Sequence, residues 1–194
     1  AGDELFVMAN PTTTGIAQLF EQLGYQALGT SSAALARSLG RSDGERALSR
    51  AEAIDHAKDL AAATTVPISG DFENGYGDDP RAVAETIRAA IQAGLAGCCI
   101  EDATGRADEP IYEPSLPAER IAAGAEAMGD NPFVLVARAE NFLHGRKDLV
   151  DPISRLHSFY APGSSPLYAP RRPPAAPPLP SPPSPVPSTT PSAL

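Results

Sequence analysis

The sequence predicts an α/β protein with a parallel sheet, either a (β/α) barrel or a doubly wound sheet. Three observations carry this. Short apolar runs recur about every 30 residues, each is followed by a stretch with helical apolar spacing, and polar or acidic residues stand where the runs end. A parallel sheet needs a crossover helix between strands and buries both of its faces, which suits short uninterrupted apolar runs.

The elements follow in order. Leu5-Phe6-Val7-Met8 reads as a buried strand stopped by Asn10-Pro11. Ile16, Leu19, Phe20 and Leu23 keep helical spacing until Gly24 ends the pattern. Tyr25 to Thr30 is a second, weaker strand, followed by a Ser/Gly/Asp-rich loop from Ser38 to Asp43. Ser49-Arg50-Ala51-Glu52 is a capping box, and Ile54, Ala57 and Ala61 mark the inner stripe of the helix it starts. Val66 to Gly70 is the third strand. Asp79-Pro80 is an N-cap followed by a proline at the first helical position, and Val83, Ile87 and Ile91 face inward from that helix. Gly97 to Ile100 is the fourth strand, and Ile121, Ala125 and Met128 mark the helix after it. Phe133 to Ala137 is the fifth and clearest strand, with Leu149, Ile153, Leu156 and Tyr160 on the following helix. Pro166-Leu167-Tyr168 begins a sixth strand. A complete barrel needs eight such units and roughly 250 residues. The expectation is about five units, a stub of strand six, and a globular part over 1–169.

Composition narrows the function. The 194 residues carry 24 acidic against 15 basic side chains, a net charge of -9, so no basic face exists for nucleic acid or an anionic membrane. No apolar run approaches the roughly 20 residues that span a bilayer. The acidic start, Ala1-Gly2-Asp3-Glu4, does not resemble a signal peptide. The two cysteines, Cys98 and Cys99, are adjacent, which fits strand core better than a disulfide framework. A cytoplasmic setting is the default. From Pro170 to Leu194 there are 11 prolines in 25 residues and no apolar periodicity. That tail, 170–194, is expected to be disordered with polyproline II character.

In parallel α/β folds the chemistry gathers at the carboxyl ends of the strands. Here those ends carry Thr30-Ser31-Ser32, Asp71-Phe72-Glu73-Asn74-Gly75-Tyr76-Gly77, Glu101-Asp102 and Arg138-Ala139-Glu140-Asn141, with Asp43 in the loop after the second strand. Carboxylates gathered in one place repel each other unless a cation neutralises them. Several carboxylates without Cys or His ligands suit a hard, oxygen-seeking ion, Mg²⁺ before Mn²⁺. Asp71 and Glu73 are two apart, so an extended backbone points both the same way. Arg138 suits a substrate carboxylate or a developing enolate oxygen. Asp102, by contrast, reads as a solvated or helix-capping acid, and His56 as a surface residue. His144 follows the fifth strand near these groups.

These motifs resemble the isocitrate lyase and phosphoenolpyruvate mutase superfamily. The resemblance lies in Leu23 to Ala33, in Ser38-Leu39-Gly40-Arg41-Ser42-Asp43-Gly44, and in Asp71 to Gly77, which resembles the family's Asp-x-Asp-x-Gly-Tyr-Gly motif with Glu73 at the second acid. It continues in Ala93 to Gly97 with Ile100-Glu101-Asp102, and in Val136-Ala137-Arg138-Ala139-Glu140. It implies a TIM-type (β/α) barrel that binds Mg²⁺ and a small carboxylic acid. Asp43, Asp71, Glu73 and Glu101 would form the metal environment, partly through water. Thr30, Ser31 and Ser32 would hold the substrate carboxylate, and Arg138 with Glu140 would be catalytic. The shared chemistry is C–C or C–P bond cleavage or formation next to a metal-bound pyruvate-type enolate.

The departures are specific. Isocitrate and methylisocitrate lyases carry a catalytic Cys in the loop after strand four, whereas here that loop reads Ala103-Thr104-Gly105-Arg106-Ala107-Asp108-Glu109-Pro110. The mutase's gating loop is also missing. What remains resembles the oxaloacetate decarboxylase-like and dimethylmalate lyase-like branch: a Mg²⁺-dependent C–C lyase acting on a 2-hydroxy or 2-oxo dicarboxylic acid. A phosphonate-forming mutase or phosphonopyruvate hydrolase is the alternative within the class. Family members continue the barrel after a Leu-Tyr-Ala-Pro segment, but here Leu167-Tyr168-Ala169-Pro170 runs into Arg171-Arg172-Pro173-Pro174, as a changed reading frame would. A second reading follows: an inactive remnant whose tail, through Arg171-x-x-Pro174-x-x-Pro177, is an interaction segment. The resemblance further implies a homo-oligomer for full-length relatives, which tend to form tetramers by exchanging a C-terminal helix, and the expectation is that this helix is missing here.

Overall fold

The computed structural model describes residues 7–44, 47–160 and 166–170. Among them, helices and strands alternate as α1 (Thr14–Gln22), β1 (Leu28–Gly29), α2 (Ser32–Ser38), α3 (Arg50–Ala63), β2 (Ile68–Asp71), α4 (Pro80–Gln92), β3 (Gly97–Glu101), α5 (Ser115–Met128), β4 (Val134–Arg138), α6 (Val150–Tyr160) and β5 (Leu167–Tyr168). The five strands form one sheet in the order β1-β2-β3-β4-β5, every pair parallel. This order decides between the two architectures left open by periodicity. A doubly wound sheet reverses direction at a switch point, whereas strands laid down strictly in sequence order belong to the wall of a (β/α) barrel.

Local chemistry explains most boundaries. The capping box at Ser49 and Glu52 forms as expected, with each side chain satisfying a backbone amide. Asp79 caps α4 ahead of Pro80. Gly97 leaves no room for a side chain between β3 and β4, since a Cβ there would lie 2.6 Å from the Val134 carbonyl oxygen. The core lies between sheet and helices and includes Leu28, Ile68, Phe72, Val83, Ile87, Ile100, Ile121, Leu135 and Phe159. Each such aliphatic side chain contributes roughly 1.5–3 kcal/mol on burial.

Four expectations change. Helix α2 stands where no helix was expected, because Ser31 N-caps it by accepting from the Ala34 amide. The stripe on α3 is Ala53, Ala57 and Leu60, rotated from Ile54 and Ala61, which are only partly buried. Val7 and Met8 are exposed rather than in a buried strand, and only Ala9 pairs, with Leu28. Leu5 and Phe6 lie outside the described residues. The stripes on α1 and α6 are only partly buried: Phe20 and Leu156 pack against the core, whereas Ile16, Leu19 and Leu23 on α1, and Leu149, Ile153 and Tyr160 around α6, are exposed. Helix α6 instead turns Pro152, Arg155 and Phe159 inward, because Arg155 is held by polar partners beneath it. The expected tail after Pro170, with its interaction motif, lies outside the described residues.

Candidate active site

Strand ends β1 to β4 open onto one cavity of about 360 Å³. Its walls are Ser31, Ser32, Ala33, Asp43, Gly44, Asp71, Glu73, Glu101, Arg138, Glu140, Leu143 and His144. All four carboxylates expected at a metal therefore share this hollow with Arg138 and Glu140. Below it, a second hollow of about 480 Å³ lies against the sheet and meets the first at Ser31, Asp71 and Arg138.

Each side chain is placed by its backbone. Asp71 ends β2, and its Oδ2 accepts from the Ser32 amide at 2.9 Å and the Ser32 hydroxyl at 3.0 Å. Its own amide donates to the Thr30 hydroxyl at 2.7 Å. The turn after β1 thus grips the end of β2, and the Ser32 amide is engaged by Asp71. The other carboxylate oxygen, Asp71 Oδ1, is buried and has no hydrogen-bond partner. Glu73 reaches the cavity by a route other than strand alternation. Its φ is 46°, so the extended backbone has already ended, and its carbonyl accepts from the Glu101 amide at 2.8 Å. Arg120 of α5 holds this turn from behind by donating to the carbonyls of Asn74, Gly77 and Asp78. Asp43 sits at the rim, half exposed, 3.1 Å from the Arg37 guanidinium. An exposed pair of this kind contributes at most about 1 kcal/mol.

Arg138 ends β4 between two acids. Its Nη1 lies 2.9 Å from Glu101 Oε1, its Nε meets Glu140 Oε1, and its guanidinium lies 5.6 Å from the centre of the Tyr168 ring. Burial favours a neutral arginine, but Glu101 and Glu140 outweigh it and raise the Arg138 pKa. Glu101 and Glu140 thus share one guanidinium. Burial pushes the Glu140 carboxyl up to about 7 despite the attraction of Arg138. Burial, then Asp71, raises the Cys99 thiol well above its ordinary value, so this cysteine stays a neutral thiol.

Among the described residues, no group of three or more His, Cys, Asp or Glu side chains stands in metal-binding geometry. The donor chemistry nonetheless fits a hard divalent ion, because the unpartnered, buried Asp71 Oδ1 is an oxygen donor in a cavity with an excess of carboxylates.

Asp102 overturns its reading as a solvated or capping acid. It is 2% exposed, accepts from the Glu140 amide at 2.8 Å and lies 3.2 Å from the Arg155 guanidinium. Strand alternation carried the signal, since Asp102 follows Glu101 and so faces the helix layer instead of the cavity. Its partner is 53 residues away, beyond the reach of any local pattern. His56 is not a free surface residue either, because its Nε2 lies 3.1 Å from the Thr12 carbonyl oxygen.

Comparison with known proteins agrees with this architecture. The phosphoenolpyruvate phosphomutase family model matches residues 1–176. A Mycobacterium tuberculosis protein of unassigned function is 32% identical over 167 residues, covering 85% of this chain and 60% of that one. The 2-methylisocitrate lyase of Escherichia coli is 33% identical over 134 residues, covering 64% of this chain and 44% of its own length. The crystal structure of a candidate lyase/mutase from Burkholderia cenocepacia J2315 superposes with a TM-score of 0.83 at 48% identity, covering 87% of this chain and 61% of that chain. The chain thus spans between 44% and 61% of the length of these relatives. Sequence motifs, sheet order and relatives agree, and the chain belongs to the phosphoenolpyruvate phosphomutase family, within the isocitrate lyase and phosphoenolpyruvate mutase superfamily.

Proposed function

We propose that this protein, or the longer protein it represents, is a Mg²⁺-dependent carbon–carbon lyase acting on a small 2-hydroxy or 2-oxo dicarboxylic acid. One observation carries the reading: Asp43, Asp71, Glu73, Glu101 and Glu140 share a cavity in which Arg138 is shared by two of them. A hollow lined by five carboxylates, one of which, Asp71, keeps a buried oxygen without a hydrogen-bond partner, suits a divalent ion, and a carboxylic acid suits the ion and the arginine together.

Asp71, Glu73 and Glu101 would hold the ion, with Asp43 acting from the rim, and Mn²⁺ is a chemically equivalent occupant. When bound, such an ion polarises a carbonyl and stabilises negative charge on oxygen. The chain's own residues supply the rest. Thr30 and Ser31 would orient the substrate carboxylate, while Ser32, whose amide and hydroxyl both donate to Asp71, would instead hold Asp71 in place. Arg138 faces the cavity from β4 and would donate to the oxygen on which charge develops as the C–C bond breaks. Glu140, with its raised pKa, exchanges a proton near neutrality and would act as the acid–base group. The loop Ala103–Pro110 has no cysteine, which points away from the Cys-dependent members of the superfamily.

Isothermal titration with Mg²⁺ and oxalate, an enolate mimic, tests the binding half. Mg²⁺-dependent oxalate binding that is lost in Asp71→Ala is the expected result, and a folded sample that binds neither would overturn the proposal. The reaction half is tested by pyruvate release from a panel of malates and oxaloacetate. Turnover confined to phosphonopyruvate would favour the mutase or hydrolase alternative. No turnover by a folded, Mg²⁺-binding chain would favour the inactive remnant.

A further inference from the structure

Beneath the site, a buried polar chain joins helix α6 to the ends of β3 and β4. The Arg155 and Asp102 side chains are each at most 2% exposed. Arg155 Nη1 lies 3.2 Å from Asp102 Oδ2 and donates to the Tyr112 carbonyl at 2.7 Å. The other oxygen, Asp102 Oδ1, accepts from the Glu140 amide at 2.8 Å. Arg155 Nε donates to Asp151 Oδ1 at 2.9 Å, and Asp151 Oδ2 accepts from Asn141 Nδ2 at 2.7 Å. Glu140 and Asn141, consecutive in the turn after β4, are thus gripped by two acids that share one arginine.

We propose that Arg155 is a positioning residue for Glu140. It touches nothing in the cavity. It neutralises Asp102, which fixes the Glu140 backbone, and so sets the Glu140 carboxylate beside Arg138. The alternative, that Arg155 only fastens α6 to the barrel, is disfavoured by the shape of the network. An anchor needs only an acid on the barrel to meet Arg155, whereas here that acid, Asp102, spends its other oxygen on the Glu140 amide, and Asp151, on α6 itself, accepts from Asn141 in the same turn. A buried arginine in this place is also costly unless its partners require it. The inference rests on the proposed function for what Glu140 does, but not for how Glu140 is held.

Two readouts separate those parts. The first is hydrogen exchange at the Glu140 amide by NMR in the full chain, using Arg155→Met and the double variant Arg155→Met/Asp102→Asn. An asparagine at 102 still offers a carbonyl oxygen to the Glu140 amide but needs no counter-charge. The expected result is a loss of at least tenfold in Glu140 protection in Arg155→Met, unchanged protection at Leu135 and Val136 in β4, and recovery in the double variant. Unchanged Glu140 protection, or a uniform loss across β4 that the double variant does not reverse, overturns the proposal. If Arg155→Met does not fold, the folded double variant must show wild-type Glu140 protection, and exposure of that amide there overturns it equally. The second readout is Mg²⁺-dependent oxalate affinity. It is expected to fall about tenfold in Arg155→Met and to return in the double variant. If the wild-type chain binds no oxalate, the functional reading fails while the exchange experiment still decides the positioning claim. Affinity unchanged in Arg155→Met while Glu140 has become exposed also counts against the proposal.

Discussion

Replacing Glu140 by glutamine is expected to make the protein more stable at neutral pH and less capable of proton transfer. Glu140 is 2% exposed, and burial raises its pKa from an ordinary 4.5 to about 7. A carboxyl whose folded-state pKa lies above its unfolded value binds its proton more tightly when folded. Its contribution to stability is complete below about pH 4.5 and is lost as pH rises through about 7. The difference is about 2.5 pH units at roughly 1.4 kcal/mol each, so ionising Glu140 costs the folded state about 3 kcal/mol. Glutamine mimics the protonated form and pays no such cost. The assay is urea unfolding of both proteins in EDTA at pH 5, 6, 7 and 8. Near pH 5 the two curves are expected to lie close together. By pH 8 the Glu140→Gln variant is expected to lead by about 3 kcal/mol, which at an m-value of about 2 kcal/mol/M is a midpoint shift of about 1.5 M. A gap that stays flat, or narrows as pH rises, would refute the claim that burial dominates the Glu140–Arg138 pair.

Three further outcomes follow from the packing and the caps. In Gly70→Ala the new Cβ would lie 2.4 Å from the Phe72 ring, so a loss of about 1–3 kcal/mol is expected in chemical denaturation, with partial recovery when Phe72→Leu is added. Phe159→Ala removes a ring that is 1% exposed and joins α6 to the core, and calorimetry is expected to register about 3–5 kcal/mol of destabilisation. Ser49→Ala removes the hydroxyl that accepts from the Glu52 amide, and a loss of about 1 kcal/mol in urea would be the signature of the capping box.

Much of the fold and site was legible along the chain because its signals are local. An apolar run followed by helical spacing needs no distant information, and β2, β3 and β4 stand within a residue or two of where the pattern placed them. The acids at strand ends were legible for the same reason, since a parallel strand delivers its last residue to the same rim as its neighbours. Helix α2 leaves little local mark, because it is seven residues long and its N-cap, Ser31, also belongs to the segment that resembles a substrate-holding turn. The apolar spacing on α1 and α6 is real but only part of it is buried, Phe20 and Leu156 meeting the core while Ile16, Leu19, Ile153 and Tyr160 face outward. Spacing shows that a stripe exists, and only contacts show which stripe is buried.

Sequence alone determined the alternation of strand and helix from β2 to α6, the parallel barrel-type class once the family motifs were added, and the identity of the acids around the cavity. Tertiary structure decided which acids are paired and which are left with an open oxygen. Asp102 and Glu101 are adjacent and chemically alike, yet one is bound to Arg155 behind the sheet while the other meets Arg138 in the cavity. The physical reason is that charge interactions depend on distance through space and on burial, and a partner 53 residues away in the chain leaves no local mark on the sequence that needs it.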